Sequence, residues 1–99
     1  MFNWGKPGWK FLHAITFAYP QHPDLKTKIR YRRFFKTLKY VLPCPKCRAH
    51  YAKLVQHLGL GHMKNTYTLS KWLVDVHNKI NVKLGKKVFS YEEVKQMYR

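Results

Sequence analysis

The two cysteines of this chain lie three positions apart in Leu42-Pro43-Cys44-Pro45-Lys46-Cys47-Arg48. That spacing lets two thiols close a reversible disulfide within about one helical turn, which is what a dithiol exchange site needs. Pro45 suits a first helical position, since the N–H it lacks would be unpaired there anyway. Cys44 would then sit at the N-cap and Cys47 at the third position of a helix. The partial positive charge of that helix end favours thiolate over thiol, and Lys46 and Arg48 add to it. Two other readings stay open from the residues alone. His50 and His57 complete a Cys2His2 set of zinc ligands on paper, and two buried, inert cysteines would behave as small hydrophobes. A thioredoxin-type fold would require alternating strand patterns that this chain lacks.

His77, Asn78 and Asn81 form the second unusual group. They interrupt an otherwise regular helical pattern, and Asn is a poor helix former because its amide competes for backbone hydrogen bonds. At separations of three and four they line one polar strip, with Lys83 and Lys86 following for phosphate. The plainer reading is a solvated face with one core histidine. Trp9, Phe17 and Trp72 likewise have the spacing of ordinary core packing.

The elements that carry these groups read as helices. The first opens after Gly5 with Pro7 in its first turn and runs to about Tyr19, with Trp9, Leu12, Thr16 and Tyr19 on one stripe and His13 and Phe17 beside it. Asp24 caps a second helix through Leu42, apolar at Leu25, Ile29, Phe34, Phe35 and Leu38. Its other face carries Lys26, Lys28, Arg30, Arg32, Arg33, Lys36 and Lys39. Pro43 ends it, and the third helix runs from Cys44-Pro45 to about Leu58, stopping at Gly59-Leu60-Gly61. After a polar loop, Thr68 or Ser70 caps a fourth helix with Leu69, Trp72, Leu73, Val76, Ile80 and Leu84 on its apolar stripe, ended by Gly85. Ser90 with Glu93 is a capping-box pattern that opens a short fifth helix to the C-terminus.

Ninety-nine residues suffice for one domain, expected over 1–99, with a modest core. At 45% apolar and 16% aromatic the composition is that of a folded chain. Lys and Arg number 20 against the four acids Asp24, Asp75, Glu92 and Glu93, a formal charge of +16 that an anionic cofactor or partner would relieve. The basic second helix, with Tyr31, Phe34 and Phe35 interleaved, admits nucleic-acid contact as a secondary property, although no recognised nucleic-acid motif is present. No apolar run reaches the roughly 18–20 residues of a membrane span. No basic segment leads into a clean apolar run, so a cleaved signal peptide is not expected.

The segment His77-Asn78-Lys79-Ile80-Asn81-Val82-Lys83-Leu84-Gly85-Lys86 resembles the HNxVNxxLxK signature of the Erv/ALR-type sulfhydryl oxidases. The same family has an early WxxLH helix, matched by Trp9 to His13, then a Tyr-Pro, matched by Tyr19-Pro20. Pro-Cys-x-x-Cys follows at Pro43 to Cys47, and an aromatic closes the last helix at Tyr98. Order and approximate intervals agree along nearly the whole chain.

This resemblance implies an all-α fold, a four-helix bundle with a short fifth helix packed across it and FAD held non-covalently in the bundle. It implies a thiol oxidase that forms disulfides in a dithiol protein substrate, such as a shuttle redox protein, and reduces dioxygen to hydrogen peroxide. Cys47 would be the flavin-proximal sulfur and Cys44 the interchange sulfur. Trp9, His13, Trp72, His77, Asn78, Asn81, Lys83, Lys86 and Tyr98 match cofactor-contacting positions, with Gly5 and Leu42 touching it through backbone or packing. No metal site is implied. Three departures stand out: no further cysteines, Tyr98 where the family commonly has Trp, and Leu42 where an aromatic often precedes Pro-Cys. The single-pair form is similar to versions encoded by large DNA viruses, which implies a dedicated partner for the shuttle disulfide and a place in the host cytoplasm or the virion. The first helices commonly form a homodimer interface in this family, which implies a homodimer.

Overall fold

The computed structural model describes residues 3–98, so three positions of the expected 1–99 domain lie outside the described residues. It contains five α-helices: α1 Gly5–Phe17, α2 Leu25–Val41, α3 Pro45–Val55, α4 Thr66–Lys83 and α5 Tyr91–Tyr98. A 3-10 helix, Leu60–Met63, occupies part of the stretch expected to be a polar loop. No strand occurs among the described residues, in agreement with the all-α expectation.

Local chemistry fixes most boundaries. Asp24 caps α2 by accepting a 2.8 Å hydrogen bond from the Thr27 amide. Gly85, at φ +70°, ends α4 in a Schellman pattern: the Lys86 amide donates to the Asn81 carbonyl and the Gly85 amide to the Val82 carbonyl. Ser90 and Glu93 form the reciprocal pair that starts α5. Other boundaries differ from the sequence reading. The first helix stops at Phe17 and the third at Val55, two and three residues early. Asn65, not Thr68 or Ser70, caps α4: its side chain accepts from the Thr68 amide while the Thr68 hydroxyl accepts from the Asn65 amide. Thr68 is thus the return half of a capping box. Leu84 lies beyond the buried stripe and is exposed, whereas Val74 is buried.

The backbones of α1 and α4 approach closely, as do those of α2 and α3, and α5 lies against α1 and α4. Phe35, Val55, Leu58, Met63, Leu69, Leu73 and Val76 form the shared core. Truncating a residue such as Leu73 to Ala would cost about 2–5 kcal/mol, the lost transfer energy plus a cavity. Buried hydroxyls tie the layers together. Tyr19 donates to the Met63 carbonyl at 2.8 Å, Thr66 to the Tyr19 carbonyl at 2.6 Å, and Tyr51 to the Phe35 carbonyl at 2.6 Å.

Candidate functional site

Two clusters emerge, one of sulfur and one of rings. Cys44 is the N-cap of α3, with Pro45 in the first turn behind it. Its Sγ accepts from the Cys47 amide at 3.1 Å, so one helix-end donor points at sulfur. Both cysteines are partly accessible thiols. Hydrogen bonding from the Cys47 thiol, then from the Cys47 amide, holds the Cys44 thiol below its ordinary pKa, with the Arg48 charge assisting. Burial pushes Cys47 up, as does its hydrogen bond to Cys44. The pair is therefore asymmetric: Cys44 is the readier thiolate. Arg48 also donates to the Leu42 carbonyl at 2.6 Å, locking the end of α2 to the first turn of α3.

The ring cluster joins α1, α4 and α5. His13, fully buried, meets His77 through Nε2 and Nδ1 at 2.9 Å. Trp9 stacks on His77 with centroids 3.7 Å apart and planes 8° from parallel. Tyr98 stacks on His13 at 4.8 Å, and Phe17 approaches the same ring at 6.4 Å. Burial, then the charge repulsion of His77, lowers the His13 pKa to about 3. Burial, then Lys86, lowers that of His77 to about 4. Both imidazoles are neutral at physiological pH. Yet His13 Nδ1 is buried with no hydrogen-bond partner among the described residues. An orphaned polar atom of that kind costs about 1–3 kcal/mol.

Trp9, His13, His77 and Tyr98 are thus gathered in one place. Cys44, Cys47 and Leu42 gather at the α2–α3 junction. The remaining candidates stand apart from both groups or play another part. Trp72 is 8% exposed and packs edge-on against Phe35 in the core. Asn78 donates to the Phe89 carbonyl at 2.7 Å and accepts from the Phe89 amide at 3.0 Å, so it splices the α4–α5 connection. Asn81 is buried, and its amide makes no side-chain hydrogen bond among the described residues. Lys83 and Lys86 are exposed; the first acts electrostatically on His50 of α3 and the second on His77. Gly5 opens α1 with nothing within 4 Å of where a Cβ would lie.

His50 and His57 do not join the cysteines as ligands: among the described residues no three His, Cys, Asp or Glu side chains are grouped to hold a metal. Two anchors escaped the sequence reading. Arg32 donates to the Leu58 carbonyl at 2.8 Å, and Tyr51 is bonded to Phe35. The four-residue step from Cys47 to Tyr51 was the available signal for the second.

The model of the Erv1/Alr family matches residues 6–99. The chain belongs to that family. It is 41% identical over 93 residues to a probable FAD-linked sulfhydryl oxidase of Acanthamoeba polyphaga mimivirus, covering 92% of this chain and 65% of that protein. It is 28% identical to a putative FAD-linked sulfhydryl oxidase of Invertebrate iridescent virus 6, over 97% of this chain and 92% of the relative. An FAD-linked sulfhydryl oxidase of Arabidopsis thaliana is 31% identical, but this chain spans only 47% of its length. The fold matches the yeast Erv1 core at a TM-score of 0.88 and 24% identity, over 96% of this chain and 80% of that one. Against that fold the expected bundle with its added short helix is in place. No helix among the described residues is long and apolar enough to cross a membrane.

Proposed function

We propose that this chain is an FAD-dependent thiol oxidase that makes disulfides in a dithiol substrate through a Cys44–Cys47 disulfide. The observation that carries the reading is the Cys44–Cys47 thiol pair at a helix start, with the Cys47 amide directed at sulfur, in a chain of the Erv1/Alr family. The relatives above bear FAD-linked names, and the donor set here suits such a group. His13 Nδ1 lacks a partner, Trp9 and Tyr98 offer aromatic faces, and Lys83 and Lys86 supply cations for a pyrophosphate. Half-buried Trp9, Leu12, Ile15, Leu42, Leu54 and Ile80, drawn from four helices, provide apolar surface for a planar ring system. Asn81 and the backbone at Gly5 complete the set, with Trp72 and Asn78 acting through packing and through Phe89.

In this mechanism a substrate thiolate attacks Sγ of Cys44 in the oxidised pair, and the Cys47 sulfur leaves as thiolate. A second substrate thiol attacks the mixed disulfide and Cys44 leaves, so one substrate disulfide forms and the protein holds two thiols. The Cys47 amide and the Arg48 guanidinium stabilise negative charge on the sulfurs throughout. When bound, FAD would supply the two-electron acceptor for the Cys44–Cys47 dithiol, with dioxygen as terminal oxidant and hydrogen peroxide as product. The neutral His13–His77 pair adds no charge to the interior.

Residues 1–99 act as one domain in this reading. A homodimer has support in exposed apolar residues Phe11 and Leu25. The viral relatives support a host-cytoplasm or virion location, with a shuttle protein as one candidate substrate. The test is thiol-dependent oxygen consumption with stoichiometric peroxide release by the FAD-loaded chain. Absence of both oxygen uptake and peroxide release with wild-type protein would defeat the proposal.

A further inference from the structure

The α2 surface is the most strongly charged part of the molecule, and neither the thiol pair nor the ring cluster accounts for it. A groove of about 290 Å³ runs along it, lined by Ile29, Arg32, Arg33, Lys36, Thr37, Lys39 and Tyr40. These positions follow helical spacing on one face, so the groove extends about 16 Å along the axis, the span of roughly five extended residues. Arg32 is committed to the Leu58 carbonyl and forms a fixed wall. Lys39 lies 5.1 Å from the centroid of the Tyr40 ring, which is 72% exposed. Among the described residues Arg33 and Lys36 have no acidic partner. The ion pairs among the described residues are Lys71–Asp75 and Lys87–Glu93, both away from α2.

Tyr40, the last of the lining residues, is close in the chain to the redox pair. Tyr40 is four residues from Cys44, a separation of at most about 14 Å. Leu42 between them is held by the Arg48 hydrogen bond. From these relationships we infer that the α2 groove docks an acidic, extended segment next to the cysteine pair of the protein substrate. The inference deepens the thiol-oxidase reading and rests on it. The cations meet carboxylates, Ile29 and Tyr40 take apolar side chains between them, and the end of the segment delivers its thiols to Cys44. A second copy of this chain is a poor occupant of the groove, because its own cations would meet Arg33, Lys36 and Lys39. The homodimer contact proposed at Phe11 and Leu25 lies outside the lining residues. Nucleic acid would satisfy the cations, but it makes no use of the four-residue step from Tyr40 to Cys44.

The test uses the FAD-loaded full chain and three synthetic peptides with one Cys-x-x-Cys pair, followed by five Glu, five Gln or five Lys. The rate constant kcat/KM for each is divided by that for dithiothreitol. Several exposed ion pairs at a few tenths of a kcal/mol each predict about a tenfold preference for the Glu peptide over the Gln peptide at low salt. That preference shrinks as salt is raised. The triple variant Arg33→Gln, Lys36→Gln, Lys39→Gln brings the two within about twofold. The charge-matched Lys26→Gln, Lys28→Gln, Arg30→Gln variant, outside the groove, keeps the preference. Fluorescence anisotropy of the Glu peptide with Ser in place of Cys reads the same docking without turnover. Equal handling of the peptides with normal dithiothreitol oxidation would overturn the docking alone, as would an equal loss in the control variant. If the groove variant loses only binding to an oligothymidylate, the surface belongs to nucleic acid and the inference fails. Wild-type protein that oxidises no dithiothreitol would defeat the oxidase reading, and the docking with it.

Discussion

His13 on α1 and His77 on α4, 64 residues apart in the chain, share a 2.9 Å hydrogen bond inside a shell of aromatic rings. With folded pKa values of about 3 and about 4, both rings are neutral in the native state and protonate in the unfolded chain below about 6.5. The unfolded chain then binds more protons, so stability is complete above pH 6.5 and declines as pH falls toward those folded values. At pH 5 the decline from His13 alone is about 2 kcal/mol. Thermal midpoints from pH 7.5 to 5 would record it, and His13→Asn should flatten the profile. An unchanged midpoint across that range would mean the pair is already protonated or solvated.

Asn78 holds both backbone groups of Phe89 and so governs where α5, with Tyr98, rests. Asn78→Ala should cost about 1–3 kcal/mol, because the Phe89 amide and carbonyl lose their partners together. Amide exchange should accelerate in α5 before it does in α4. Uniform acceleration, or none, would contradict this role.

The asymmetry of the thiols predicts an order of reaction. In the reduced protein Cys44 should be alkylated by iodoacetamide before Cys47, with a rate profile centred below the ordinary thiol value of 9.0. Arg48→Gln removes a neighbouring positive charge and frees the Leu42 carbonyl, so Cys44 alkylation at neutral pH should slow several-fold. Peptide mapping by mass spectrometry distinguishes the sites. Faster modification of Cys47 would reverse the assignment.

Features set by short-range chemistry were legible before any coordinates. The Cys44–Pro45 helix start, the Asp24 cap, the Gly85 stop and the Ser90–Glu93 box each depend on neighbours within a few residues. The start of α4 was misread because Thr68 and Asn65 both suit a cap, and only three-dimensional pairing shows that one answers the other. The sequence marked His77, Asn78 and Asn81 as anomalous, and the fold separates their roles. His77 reaches a ring 64 residues away and Asn78 a backbone 11 residues on, while Asn81 is buried and makes no side-chain hydrogen bond among the described residues. Contacts at such separations leave no periodic trace. The α2 cations are visible in the sequence as a charged face, but the Arg48–Leu42 bond that fixes the end of α2 against the Cys44 turn is not.

The most direct measurement is the visible absorption spectrum of wild-type and Cys47→Ser protein, each purified in the presence of FAD and then mixed anaerobically with dithiothreitol. The account predicts that both retain a flavin spectrum and that only wild type bleaches rapidly, its colour returning when air is admitted. Absence of bound flavin in wild type, or bleaching of Cys47→Ser at the wild-type rate, would contradict a reaction routed through the Cys44–Cys47 pair.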